Sequence, residues 1–469
     1  MKRSRSPFSL LAFVLLSCDT AATDRSPTNA SADSAFIKQV DAFADSVVKN
    51  IPVAGMSILV ARGGRTVLQK GYGLADVTQN RRATDTTAYR IGSVTKLITA
   101  VAIFRLIEQD KLTLDDSLRT YLPEHASIGA VTIRQVLNHT SGLPDYTEAI
   151  PERWLVEHKP LTPEFIAGLL KRERSKPAGE LWIYNSTGFF LLGQVIEKVS
   201  GVSYPQFIRR EISQPLSLRA TWLPQEGAGP LDRSLNYRIV DGAFRRDTLW
   251  DLPGIFSAGG LYSSVRDLSA LVHSIATSKI LSRSSMEMMT ASTQLPGGVR
   301  ADYGFGMRLG SLERHRKWGH TGSGRSNRSA VAYYPDDSLT VIVLMNTEHE
   351  DIPIQAIDIE GRIARMALNL PSVVTKTLPL DADAAREFVG SYVDGENQYR
   401  VVLEDRTLVF GRIGSKAPPG AMLYQGDDEF VPDPAYPAFR FIFQRVDGKP
   451  AAIGRFDNGW FVGVRPRIN

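Results

Sequence analysis

The chain has 469 residues, 43% hydrophobic and 22% charged, which excludes a disordered polymer and leaves room for a large catalytic domain plus a smaller one. The formal net charge of +5 falls to +2 without Lys2, Arg3 and Arg5 of the leading segment, so charge gives a nucleic-acid partner no support. One cysteine, Cys18, excludes a disulfide within a single chain.

Those three basic residues precede an apolar run, 8–16, that is too short to span a bilayer and has the shape of a signal-peptide core over 1–17. Cys18 follows at once, and Leu15-Leu16-Ser17-Cys18 resembles a bacterial lipobox, in which the cysteine is acylated. The resemblance implies export to the cell envelope and a membrane partner held through a lipid anchor, periplasmic or otherwise extracytoplasmic. An ordinary signal peptide with an incidental cysteine is the alternative. Residues 18–34, rich in Ala, Thr, Ser, Asp and Pro, read as a flexible tether.

A helix over 36–49 leads into strands 56–61 and 66–71, with Gly63-Gly64 as a hairpin signal. Helical patterns then dominate: after residue 93, and at 133–138, 163–171, 188–199, 205–212 and 265–275. Strands are expected at 303–309, 329–334 and 339–345, the last two joined by the turn Pro335-Asp336-Asp337-Ser338. A closing helix over 352–368 precedes Pro371. Strands at both ends with helices between predict an α+β domain over 35–370 whose sheet joins early and late segments. After a linker at 371–379 the texture changes. Phe439, Phe441 and Phe443 alternate with Arg440, Ile442 and Gln444, a half-buried strand pattern, and Asp447-Gly448 and Asn458-Gly459 are hairpin turns, so 380–469 read as a separate antiparallel β domain.

The chemistry-bearing segment is Arg90-Ile91-Gly92-Ser93-Val94-Thr95-Lys96, ahead of an apolar helix. Residues three apart share a helix face, which makes the Ser93 hydroxyl and the Lys96 amine neighbours. The partial positive charge of the helix N-terminus favours an alkoxide at Ser93. A hydroxyl beside an amine is the arrangement of an activated serine nucleophile. The same spacing recurs as Ser46-Val47-Val48-Lys49, expected to face water, so spacing alone does not choose between the copies. Three further segments do. Tyr184-Asn185-Ser186 stands at a helix start. Gly319-His320-Thr321-Gly322-Ser323 carries glycines that let a ligand approach backbone N–H donors. Leu137-Asn138-His139-Thr140-Ser141-Gly142-Leu143-Pro144 accompanies them, with His139 expected to support loop structure.

Together with Ala258-Gly259-Gly260-Leu261-Tyr262, these segments resemble, over roughly 36–370, the penicillin-recognising serine hydrolases of the class C β-lactamase and D-alanyl-D-alanine peptidase type. The resemblance implies a β-lactamase/transpeptidase-like domain, and it likens the C-terminal part to the lipocalin-like β domains attached to this family. It implies Ser93 as the acylated nucleophile, Lys96 as the amine that takes its proton, Tyr184 as the phenol sharing acid/base work, and the N–H groups of Ser93 and Ser323 as the oxyanion hole. Thr321 and Gly322 complete the substrate-binding strand.

Two positions depart from the family pattern. Ser186 stands where Asn is usual, with Asn185 as a substitute if the turn is shifted. His320 stands where Lys is usual, and its charge is expected to vary near neutral pH. Both departures favour a D-amino-acid peptidase, amidase or esterase acting on a small molecule or short peptide. The alternatives are a catalytically weak receptor on the same fold and a true class C-like β-lactamase. No Gly-x-Ser-x-Gly elbow or His-Glu-x-x-His pattern occurs, and neither metal nor cofactor is expected. The oligomeric state is not legible.

Overall fold

Met56, Ile58 and Val60 in strand β1 (Gly55–Arg62) point to one side of a sheet, and Leu59 and Ala61 to the other; both sets are buried. A strand buried on both faces needs cover on both. Helices α1 (Pro27–Asn50) and α5 (Ala356–Ala367) cover the first face, with Val40, Ala44, Ile359 and Ile363 among the buried contacts. Helices α2 (Thr95–Ile107) and α4 (Val265–Ala276) belong to the core on the second. The computed structural model describes residues 27–150, 163–171, 177–227, 229–247, 256–348 and 352–468. The expected signal segment and Cys18 lie outside the described residues.

The sheet is antiparallel. Its order is β3 (Arg308–Leu312), β4 (His315–Ser323), β5 (Arg328–Tyr334), β6 (Leu339–Met345), β1 and β2 (Arg65–Asp76), so early and late segments meet where β6 pairs with β1. A helical region built around α2 and α3 (Ser186–Ser200) packs beside it. Helix α2 is mostly apolar and almost wholly buried, as expected of a central helix.

Two local expectations change. Helix α1 begins at Pro27, so residues 27–34, read as tether, are helical; Ala30, Ala32 and Ala35 favour helix, and Asp33 pairs with Arg65 at 2.7 Å. Residues 303–307 form no strand, and β3 starts at Arg308. Gly306 has φ +70°, and a Cβ there would lie 2.4 Å from the Ala100 Cβ, so the segment bends to lie against α2.

C-terminal strands β7 (Gly390–Asp394), β8 (Asn397–Glu404), β9 (Thr407–Arg412), β10 (Gly420–Gly426), β11 (Glu429–Val431), β12 (Phe439–Val446), β13 (Lys449–Asp457) and β14 (Trp460–Ile468) pair in sequence. Pairing of β14 with β7 closes them into a barrel. Helix α6 (Ala382–Phe388) plugs the end where β7 begins, with Phe388 packed on Phe430 and Phe443.

The barrel is tied to the first sheet rather than isolated from it. Gly310 of β3 pairs with Trp460, and the Trp460 ring is fully buried among residues of the first sheet and α5. Its Nε1–H donates to Glu360 Oε2 at 2.9 Å, Tyr334 Oη–H donates to Oε1 at 2.6 Å, and Lys317 Nζ lies 3.3 Å from Oε2. Burial pushes the Lys317 ammonium below its ordinary pKa, and the Glu360 charge opposes that shift.

Candidate active site

Ser93 stands in a 3-10 turn (Gly92–Val94) that runs directly into α2. The turn is fixed from several sides. Asn327 Nδ2 donates to the Arg90 carbonyl at 3.1 Å, Ser329 Oγ donates to the Ile91 carbonyl at 2.8 Å, and Ile91 N–H donates to the Leu261 carbonyl at 3.0 Å. Gly92 has φ +53°, and a Cβ on it would lie 3.0 Å from Ser323 N; a Cβ on Gly322 would lie 2.1 Å from Ile91 O. These glycines let the end of β4 reach the Ser93 turn, which brings Ser93 and Ser323 together. Beyond Gly319, among the described residues, β3 no longer pairs with β4, so residues 320–323 present a strand edge beside Ser93.

Lys96 is 1% exposed. Its Nζ donates to Ser93 Oγ at 3.2 Å, to Ser186 Oγ at 3.5 Å and to the Ala258 carbonyl at 2.8 Å, all uncharged oxygens. It also lies 4.9 Å from the centre of the Tyr184 ring. The amine is thus within proton-transfer reach of the serine, held in place by a carbonyl. Tyr184 Oη is buried and has no hydrogen-bond partner among the described residues. Such a group costs stability, and active sites are where that cost recurs.

Asn185 does not stand in for the missing amide. Its side chain caps α3, accepting from Gly188 N–H at 2.8 Å, and donates to the Leu143 carbonyl at 2.7 Å. Both ends of the amide are used in the turn, which leaves Ser186 as the side chain facing Lys96. Asp145 Oδ2 accepts the Ser186 N–H at 2.6 Å and holds that turn. His139 supports it too: Nδ1 accepts from Asn185 N–H at 3.1 Å, and the His139 carbonyl accepts from Ile183 N–H at 2.9 Å.

His320 is fully buried, which corrects the expectation of a variable charge. Its Nδ1–H donates to the Thr321 carbonyl at 2.6 Å, so Nε2 accepts from Tyr303 Oη–H at 3.0 Å. Burial holds its pKa well below the ordinary histidine value, and the nearby Arg308 and Lys96 charges add to that. The ring therefore stays neutral across the physiological range. Arg308, at the start of β3, brings a guanidinium charge near this place. Its guanidinium lies 5.3 Å from the centre of the Tyr184 ring, Nη1 donates to the Phe461 carbonyl at 2.5 Å, and Nε is buried without a partner among the described residues.

The structure thus brings Ser93, Lys96, Tyr184, Ser186, His320 and Ser323 together, with Thr321 and Gly322 on the strand edge, and keeps Asn185 for the turn. Arg308, Ala258, Asp145 and Tyr303 escaped the sequence reading as site residues. Ala258 lies in a segment that had been singled out, but it acts through a carbonyl, which residue type does not reveal.

A serine hydroxyl, a buried amine and a phenol without a hydrogen-bond partner among the described residues thus meet beside one strand edge. The chain belongs to the Beta-lactamase family, whose model matches residues 40–359. Penicillin-binding protein 4* of Bacillus subtilis is 31% identical over 317 residues, which are 64% of this chain and 70% of that protein. The octameric penicillin-binding protein homologue from Pyrococcus abyssi superimposes with a TM-score of 0.65 at 24% identity, over 92% of this chain and 99% of that one. A D-stereospecific amidohydrolase from Streptomyces sp. superimposes with a TM-score of 0.54 at 26% identity, over 67% and 94%.

Proposed function

We propose that the protein hydrolyses an amide or ester bond of a D-amino-acid compound through an acyl-enzyme on Ser93. The observation that carries this reading is the Lys96 amine, 3.2 Å from Ser93 Oγ and otherwise facing only neutral oxygens. Lys96 would take the Ser93 proton as Oγ attacks the carbonyl carbon. The N–H groups of Ser93 and Ser323 would receive the developing oxyanion, and Tyr184 would hand a proton to the departing nitrogen or oxygen. Water then cleaves the ester and returns the proton.

Two features favour a D-amino-acid peptidase or amidase over a β-lactamase. His320 is neutral, so the lysine charge of the usual element is missing, and Arg308 is the cation left to meet a substrate carboxylate. The similar Streptomyces protein is named for D-stereospecific amide hydrolysis. The test is a rate profile with D- and L-amino-acid amides, acyl nitrophenyl esters and nitrocefin. Turnover of D-amides and esters above nitrocefin is expected. A stable adduct without turnover would instead support the receptor alternative, and efficient nitrocefin hydrolysis the β-lactamase.

Tyr184→Phe separates chemistry from structure. The lost hydroxyl has no partner among the described residues, so thermal unfolding should be unchanged or slightly later, while turnover falls by roughly 10²-fold or more. A parallel loss of stability and activity would show that the hydroxyl is structural.

A further inference from the structure

The barrel reaches the candidate site along one strand. In β14 the Phe461 ring packs 5.0 Å from Trp182, and the Phe461 carbonyl holds Arg308. Two residues on, Gly463 makes room for another guanidinium, since a Cβ there would lie 2.1 Å from Arg455 Nη2. Two further on is Arg465, 6% exposed and stacked 3.7 Å from the centre of the Tyr399 ring. Asp394 is the carboxylate these two share, 3.0 Å from Arg455 and 3.5 Å from Arg465. It stands at the end of β7 opposite the α6 plug. The adjoining hairpin tip touches the catalytic turn: a Cβ on Gly395 would lie 3.8 Å from Ile183 Cδ1, one residue before Tyr184.

Three guanidiniums therefore follow one strand away from Tyr184, against one carboxylate. The Nε atoms of Arg308 and Arg455 are buried without a hydrogen-bond partner among the described residues, whereas Arg465 Nε faces Asp394 Oδ2 at 3.5 Å. Three cations share one carboxylate, and the Arg455 side chain is still 21% exposed, so an anionic ligand would offset an excess of positive charge that Asp394 alone does not balance. From residue 461 to 465 an extended strand advances about 13 Å, the reach of about four residues of an extended peptide.

We infer that Arg455 and Arg465, at the far end of this row, form a distal subsite for a second carboxylate of the substrate, so that the enzyme prefers acidic peptides to neutral ones. The inference rests on the Ser93 reading for where the scissile bond sits, but the charge preference can be read without turnover. The probes are two D-amino-acid peptide amides of about four residues that differ only in an N-terminal succinyl or acetyl cap.

Binding is measured on the full-length Ser93→Ala protein. The succinyl peptide is expected to bind about tenfold more tightly. Adding Arg455→Gln should abolish that difference, and Asp394→Asn should widen it. Arg406→Gln, the same charge change at the exposed turn near the plugged end, should preserve it. Equal affinity for the two caps, or the same loss from Arg406→Gln as from Arg455→Gln, would overturn the subsite. Cleavage of the peptides by the native enzyme reports separately on the hydrolase reading: no Ser93-dependent turnover alongside an intact cap preference would fail that reading and keep the anion site.

Discussion

Replacing Lys96 by methionine is expected to leave a folded protein in which Ser93 is acylated roughly 10³-fold more slowly. The amine lies in a closed pocket beneath the nucleophile, among Ser93, Ser186, the Ala258 carbonyl and the rings of Tyr184 and Phe189. Methionine is close to lysine in length and needs no hydrogen bond, so it can fill that space. What disappears is the proton acceptor 3.2 Å from the serine oxygen, and general-base contributions of about 10²- to 10⁴-fold set the scale. Stopped-flow acylation with a chromogenic ester, alongside thermal unfolding, separates the two effects. A variant that acylates at the native rate would move the base role to Tyr184. One that unfolds early would show that the amine is chiefly structural.

The second large effect is on stability. Glu360→Ala should destabilise the protein by about 3–5 kcal/mol, because it strands the buried Lys317 ammonium. It also removes the acceptor of Trp460 Nε1–H and Tyr334 Oη–H. Glu360→Gln keeps the volume and one acceptor oxygen, and should cost less. Since Trp460 and Asn458 belong to the last barrel hairpin, and Lys317 Nζ donates to the Asn458 carbonyl at 2.7 Å, the loss should loosen the barrel from the sheet. Denaturant unfolding of the two variants, with limited proteolysis, reads both consequences. Equal stability of Glu360→Ala and the native protein would mean that Lys317 is neutral or hydrated in the fold.

Residues that act through local pattern were legible in the sequence. Ser93 and Lys96 follow from helical spacing, the hairpins at 447–448 and 458–459 from Asp-Gly and Asn-Gly, and β12 from alternating phenylalanines. The twin at Ser46 and Lys49 is exposed on α1, where Ser46 Oγ accepts from Asn50 Nδ2. Properties that depend on what packs around a residue were not legible. The neutrality of His320 follows from complete burial, which a Gly-His-Thr-Gly string does not announce. Asn185 is taken by the α3 cap and the Leu143 carbonyl, and the second of these is a long-range contact. Arg308 gave no signal, because the Phe461 carbonyl that aims it lies 153 residues away in the barrel.

The central claim is that Ser93 carries the acyl group, and peptide mapping of the protein after exposure to a fluorophosphonate tests it most directly. The account predicts one adduct, on the peptide containing Ser93, that fails to form in Ser93→Ala. Labelling at another residue, or labelling that survives Ser93→Ala, would contradict it.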